Sequence, residues 1–148
     1  MTDTYAEELL INKFLELDGL TKTAISDDDS DSVEYYYPEV ALPNEAFTRP
    51  EDGYWYEIFL LPTMPNQIEL GTEGRSRWTG IMQINICVPK DSGTRSLNAR
   101  YDAIADLFRS GLYINGIRII RTYRTSALYD DDFTVLPVSV EWWADLDR

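Results

Sequence analysis

Apolar and polar positions alternate most clearly between Arg75 and Phe108. Across Met82–Val88 the even positions are Met82, Ile84, Ile86 and Val88, with Gln83 and Asn85 between them. A period of two predicts a strand with one buried and one wetter face. Pro89, Asp91, Ser92 and Gly93 end that strand. From Thr94 the spacing lengthens. Leu97, Tyr101, Ile104, Ala105 and Phe108 fall on one helical face, with Arg100, Asp102, Asp106 and Arg109 opposite. The pattern predicts a helix lying over the apolar face of the strand before it. This unit is a fold nucleus; it contains no evident chemistry.

The rest of the chain reads outward from there. Thr4–Leu17 predicts a helix with Tyr5, Leu9, Leu10, Phe14 and Leu17 on one face, a Thr4/Glu7 capping box and Gly19 as its stop. Leu20–Ile25 suits a small strand or turn, and Val33–Val40, with Pro38 near its end, a short edge strand. Ala41–Gly53 reads as an extended connection anchored by Phe47. Tyr54–Leu61 is rich in β-formers on both faces and predicts a central strand. Thr63–Gly74 is a long hairpin arm, with Gln67–Leu70 extended, running into the strand that begins near Arg77. After the helix, the Asn115-Gly116 turn pairs Tyr113–Ile114 with Ile117–Arg118, and the strand continues through Ile119, Ile120 and Tyr123. Ala127–Asp132 is an acidic loop. Phe133–Trp143 forms the last strand, which Pro137 places at an edge or a bulge. The expected fold is α+β: a single domain over residues 1–148, with a mostly antiparallel twisted sheet of four to five strands. Two α-helices pack on one face, and a long hairpin arm projects over 63–77.

Composition narrows the chemistry. The chain has no histidine and one cysteine, Cys87, which the pattern places in a strand as a buried structural thiol. Without histidine there is no Ser-His or Cys-His nucleophile and no imidazole metal ligand. No internal disulfide can form. The N-terminal MTDTYAEELLINKFL carries acids where a signal peptide carries bases, and no apolar run reaches the length of a bilayer. These features predict a soluble protein made and used on the cytoplasmic side, with no membrane partner. The net charge of −13 is unevenly spread. Residues 1–52 hold 14 acids and 3 bases, residues 53–129 hold 6 acids and 9 bases, and residues 130–148 hold 6 acids and 1 base. Such a surface repels nucleic acid in general, while the central arginines suit pairing with acids of a neighbouring subunit.

Candidate catalytic and metal sites are sparse. In Ser26–Ser32, Asp27, Asp29 and Asp31 stand at the first three EF-hand ligand positions, but Ser32 replaces the required glycine and Pro38 the bidentate glutamate. A solvated, mobile acidic loop is the better reading. Glu57 is the only carboxylate mid-strand among apolar neighbours. Glu141 is the sole candidate for a glycosidase-like partner, and both are more simply partners of Arg118 or Arg121 across the sheet. No P-loop, dinucleotide fingerprint or Cys-pair metal motif is present. No cofactor and no enzyme activity are expected.

The order of elements carries a resemblance. An N-terminal helix precedes the strand YWYEIFLLPTMP. A Gly/Arg loop feeds LGTEGRSRWTGIMQINICVP, a Gly-containing turn opens KDSGTRSLNARYDAIADLF, and two further strands end in V-x-V-x-W. Over nearly its whole length the chain resembles the tail terminator (tail completion) proteins of long-tailed bacteriophages, a likeness of element order and spacing with few fixed residues. The acidic insertion around Asp27–Asp31 departs from the pattern. The resemblance implies a structural protein that forms a hexameric ring on the last ring of the tail tube and ends tail polymerisation. It also implies a joining surface for the head connector and a lumen for DNA. Expected partners are further copies of the chain, the tube protein and the head connector or neck protein, at the head-proximal end of a tail assembled in the host cytoplasm. No specific nucleic-acid binding is expected. Interface candidates are Gln67, Glu69, Arg75 and Arg77 on the arm, with Arg118, Arg121 and Arg124 beyond the helix. Two other readings fit the sequence: a small enzyme or ligand-binding domain with an aromatic pocket, and another neck or tube protein of the same tail.

Overall fold

The alternation across Met82–Val88 extends into a strand of 15 residues, and everything else is laid against it. The structure is a computed structural model that describes residues 3–21, 23–25, 34–43, 45–50, 53–62, 66–67 and 75–147. In chain order the elements are α1 (Asp3–Phe14), β1 (Thr23–Ile25), β2 (Glu34–Tyr36), β3 (Val40–Ala41), β4 (Trp55–Pro62), β5 (Asn66–Gln67) and β6 (Arg75–Pro89). There follow α2 (Arg95–Leu107), β7 (Tyr113–Ile114), β8 (Ile117–Arg124), β9 (Leu128–Tyr129) and β10 (Phe133–Asp147).

The main sheet has the order β3-β4-β6-β10-β8-β7, with β5 beside β6 and β9 beside β10. Every pairing in it is antiparallel except the short parallel contact of β3 with β4. Among the described residues the sheet has eight strands rather than the expected four to five, and four of them, β4, β6, β8 and β10, are long. The remaining four, β3, β5, β7 and β9, are two residues each, too short to impose a period on the sequence. β7 follows the sequence: Asn115 and Gly116 both have positive φ, as the tight hairpin turn requires, and Tyr113↔Arg118 and Ile114↔Ile117 pair as expected. Of the extended stretch expected over Gln67–Leu70, Gln67 lies in β5 and 68–70 lie outside the described residues. β1 and β2 form a separate two-stranded sheet.

The even-numbered side chains of β6 and β10 make the core. Met82, Ile84, Ile86, Val138, Val140 and Ala144 are fully buried. Both helices cover that face. Ala6, Leu10 and Phe14 of α1 are buried, with the Phe14 ring edge-on to Tyr56 of β4 at 5.3 Å. Leu97 and Ile104 of α2 are buried together with Phe108 just beyond it. α1 begins at Asp3, so Thr4 lies inside its first turn rather than capping it. The helix stops at Phe14, and the chain turns at Gly19, whose φ of +93° suits a left-handed stop. No helix among the described residues is long and apolar enough to cross a membrane.

Two strands sit elsewhere than expected. β4 is not central; its outer neighbour is only β3. Its apolar second face is explained by local cover at Trp55, while Phe59 and Leu61 remain 45% and 50% exposed. Conversely, β10, with Pro137, lies in the interior between β6 and β8. The Pro137 carbonyl accepts from Thr125 N–H just past the end of β8, and β9 pairs only with Thr134 and Val135. The missing proline N–H therefore falls where the ladder on that side is already interrupted. A register shift between Glu141 and Trp142 marks the bulge opposite β8.

Candidate assembly surfaces

Because strand side chains alternate, the residues between the core positions form a second, helix-free sheet face. β4 contributes Trp55, Glu57, Phe59 and Leu61 to it, and β6 contributes Ile81, Gln83, Asn85 and Cys87. β10 adds Val135, Pro137, Glu141 and Trp143, and β8 adds Arg118, Arg121 and Tyr123. One end of the face is closed. Trp55 meets Phe133 edge-on at 5.3 Å, and the Arg49 guanidinium stacks on both rings at 5.7 and 5.4 Å. Beneath them Cys87 is fully buried, its S–H reaching Glu57 Oε1 at 3.6 Å; burial first, then the neighbouring carboxylate, pushes the thiol well above its ordinary range. That is the inert structural thiol expected from its strand position. Gln83 Nε2 donates to Asn85 Oδ1 at 3.0 Å and gives the middle of the face a polar band.

The arginines divide into groups. On β8, Arg121 Nε donates to Glu141 Oε2 at 2.8 Å, the expected cross-strand pair. That hydrogen bond and charge raise the Arg121 pKa. Arg118 donates to the Gly111 carbonyl at 3.0 Å and stacks on Tyr113 at 5.1 Å. Glu57 does not join them. It sits on β4, separated from β8 by β6 and β10, and takes Cys87 as its partner instead. Arg124 belongs to the other face: it donates to Asn98 of α2 and lies 5.2 Å from the Tyr101 ring. On the hairpin, Arg77 stands opposite Asp145 and Arg75 opposite Asp147 in the β6–β10 ladder, and Gln67 opposite Ser76. The Arg77 guanidinium lies 4.3 Å from the Trp143 ring, and Trp143 pairs with Arg118 on its other side. Trp143 thus links the two groups on the helix-free face. Glu69 and the acidic block 26–32 lie outside the described residues.

Sequence reasoning missed two features. Arg100, assigned to the outer side of α2, instead lies 3.1 Å from the Tyr54 ring and donates to Tyr56 Oη at 3.4 Å. Burial nevertheless dominates and raises the Tyr56 pKa. The second is an open groove of about 550 Å³ along β4, walled by Ala41, Pro43, Glu45 and Phe47 on one side and Glu57, Phe59 and Leu61 on the other. Phe47, expected to anchor this connection to the core, instead lines the groove beside Phe59 and Leu61 and does not join the core cluster.

Among the described residues this is an α+β sheet with both helices on one face and no helix on the other. The profile of the phage tail terminator protein family matches residues 30–142, and the chain belongs to that family. A solved structure of a protein named only by a sequence identifier is similar in fold, with a TM-score of 0.60 and 22% identity; the match covers 74% of this chain and 82% of that one. No curated protein sequence matches the chain. The resemblance read from the order of strands, turns and helix is therefore borne out. Family membership makes this a structural, non-enzymatic component of a virion tail that works through contacts with other tail or head proteins.

Proposed function

We propose that the protein closes into a hexameric ring that caps the tail tube at its head-proximal end. There it stops further polymerisation, offers the joining surface to the head connector and leaves a lumen for DNA. The observation that carries this reading is the family match over residues 30–142, which takes in the main sheet as far as Trp142 together with α2. Charge supports it: a protein of net charge −13 does not retain the DNA that must slide through its pore. The arm over 63–77, with Gln67, Glu69, Arg75 and Arg77, reaches the tube or the adjacent subunit. Arg118, Arg121 and Arg124 serve the ring. Assembly takes place in the host cytoplasm. Size-exclusion chromatography with light scattering, run on the protein alone and with purified tail tubes, tests the proposal. Rings, alone or nucleated on tubes, are expected; monomers that never associate with tubes contradict it.

A further inference from the structure

A ring of identical subunits is joined heterologously, so each subunit must carry two different surfaces that complement each other. The sheet order puts two such surfaces on opposite margins of this molecule. At the β3–β4 margin lies the groove lined by Glu45, Glu57, Phe47, Phe59 and Leu61. Past Ala41 no described strand covers the outer edge of β4. Pro43 and Pro62 flank that edge and lack the N–H groups a further strand would need, which favours docking of side chains over strand addition. At the β7–β8 margin, Tyr113, Arg118, Ile120, Arg121 and Tyr123 are exposed. One margin is acidic and apolar, the other basic and aromatic.

Resting on the ring reading above, we infer that the β7–β8 margin of one copy docks into the β3–β4 groove of the next. Tyr123 and Ile120 meet Phe59 and Leu61, while Arg118 and Arg121 face Glu45 and Glu57. Arginine and tyrosine anchors against a desolvated apolar groove are the composition that concentrates energy in protein interfaces. Opposite charge fixes the head-to-tail direction, because two like margins repel.

The test uses two charge-reversed variants of the full chain. Variant one carries Glu45→Arg and Glu57→Arg; variant two carries Arg118→Glu and Arg121→Glu. Each alone presents like charges at every joint and should lose the ring seen for the wild type under the same conditions. Mixed in equal amounts, they should recover it as rings in which the two variants alternate, read by native mass spectrometry. Unimpaired rings from either variant alone, or no recovery from a mixture of two folded variants, overturn the inference. If groove reversal harms folding, the cysteine variants Phe59→Cys and Tyr123→Cys give a second route. A short bismaleimide linker should join the mixed pair within wild-type-like rings, since Cys87 is buried; absence of that cross-link in intact rings also overturns it. Failure of the wild type itself to form rings contradicts the ring reading instead, so the two failures are distinguishable.

Discussion

Gly80 is where a single hydrogen decides the packing of the sheet's centre. It pairs with Pro62 on one side and Trp142 on the other. A β-carbon there would stand 2.6 Å from Cζ2 of the Trp142 indole, which is packed flat over the glycine with its Nε1 buried and unpartnered among the described residues. Gly80→Ala must displace that ring and should cost about 1–3 kcal/mol, measured as a lower urea midpoint. An unchanged midpoint would mean the indole is not held against the backbone. Cys87 gives a second prediction at this scale. Its native thiol is held neutral while the unfolded chain ionises at the ordinary value of 9.0, so the native state binds the proton longer. Stability should therefore be level below pH 9 and fall as pH rises beyond it. Tyr56, raised from 10.0, joins the decline higher up. Cys87→Ala should flatten the fall between pH 9 and 10 in urea titrations; an identical slope would place the thiol in water.

At the scale of elements, the strand–turn–helix unit was legible because its residues obey one period at a time. Met82, Ile84, Ile86 and Val88 repeat every two residues and all are buried, and Leu97, Ile104 and Phe108 repeat helically and all are buried. β4 misled for a physical reason. Phe59 and Leu61 are apolar yet 45% and 50% exposed, so burial among the described residues does not explain them. Pro137 misled because its local interruption mimics an edge within an interior strand. The candidate site was legible only in part. The Arg121–Glu141 pair follows from strand spacing, whereas the assignment of Arg124 to the helical face depends on where the bulge at Glu141/Trp142 falls. The arm carries its own prediction. Arg75 and Arg77 lie in the paired root of the β5–β6 hairpin, opposite Asp147 and Asp145. Changing both arginines to glutamate should weaken association with tail tubes while leaving a folded monomer by circular dichroism. Tube binding equal to wild type would remove the arm's root from the interface.

On the scale of the whole molecule, both helices lie on one face of the sheet, and among the described residues Phe59, Leu61, Tyr113, Ile120 and Tyr123 are exposed on its strands. The fold also separates charge: Glu45 and Glu57 line the groove at one margin, and Arg118 and Arg121 lie on the strand at the other. A closed ring uses such a polarity fully, since every acidic margin meets a basic one and no surface is left to start an open filament. In the proposed assembly, length control would need no catalysis, because a tube end covered by a closed ring offers no site for the next tube subunit. Cryo-electron microscopy of intact tails tests this account most directly. It predicts a single hexameric ring of this protein at the head-proximal end of the tube; finding it repeated along the tube, or only in the neck away from the tube end, would contradict it.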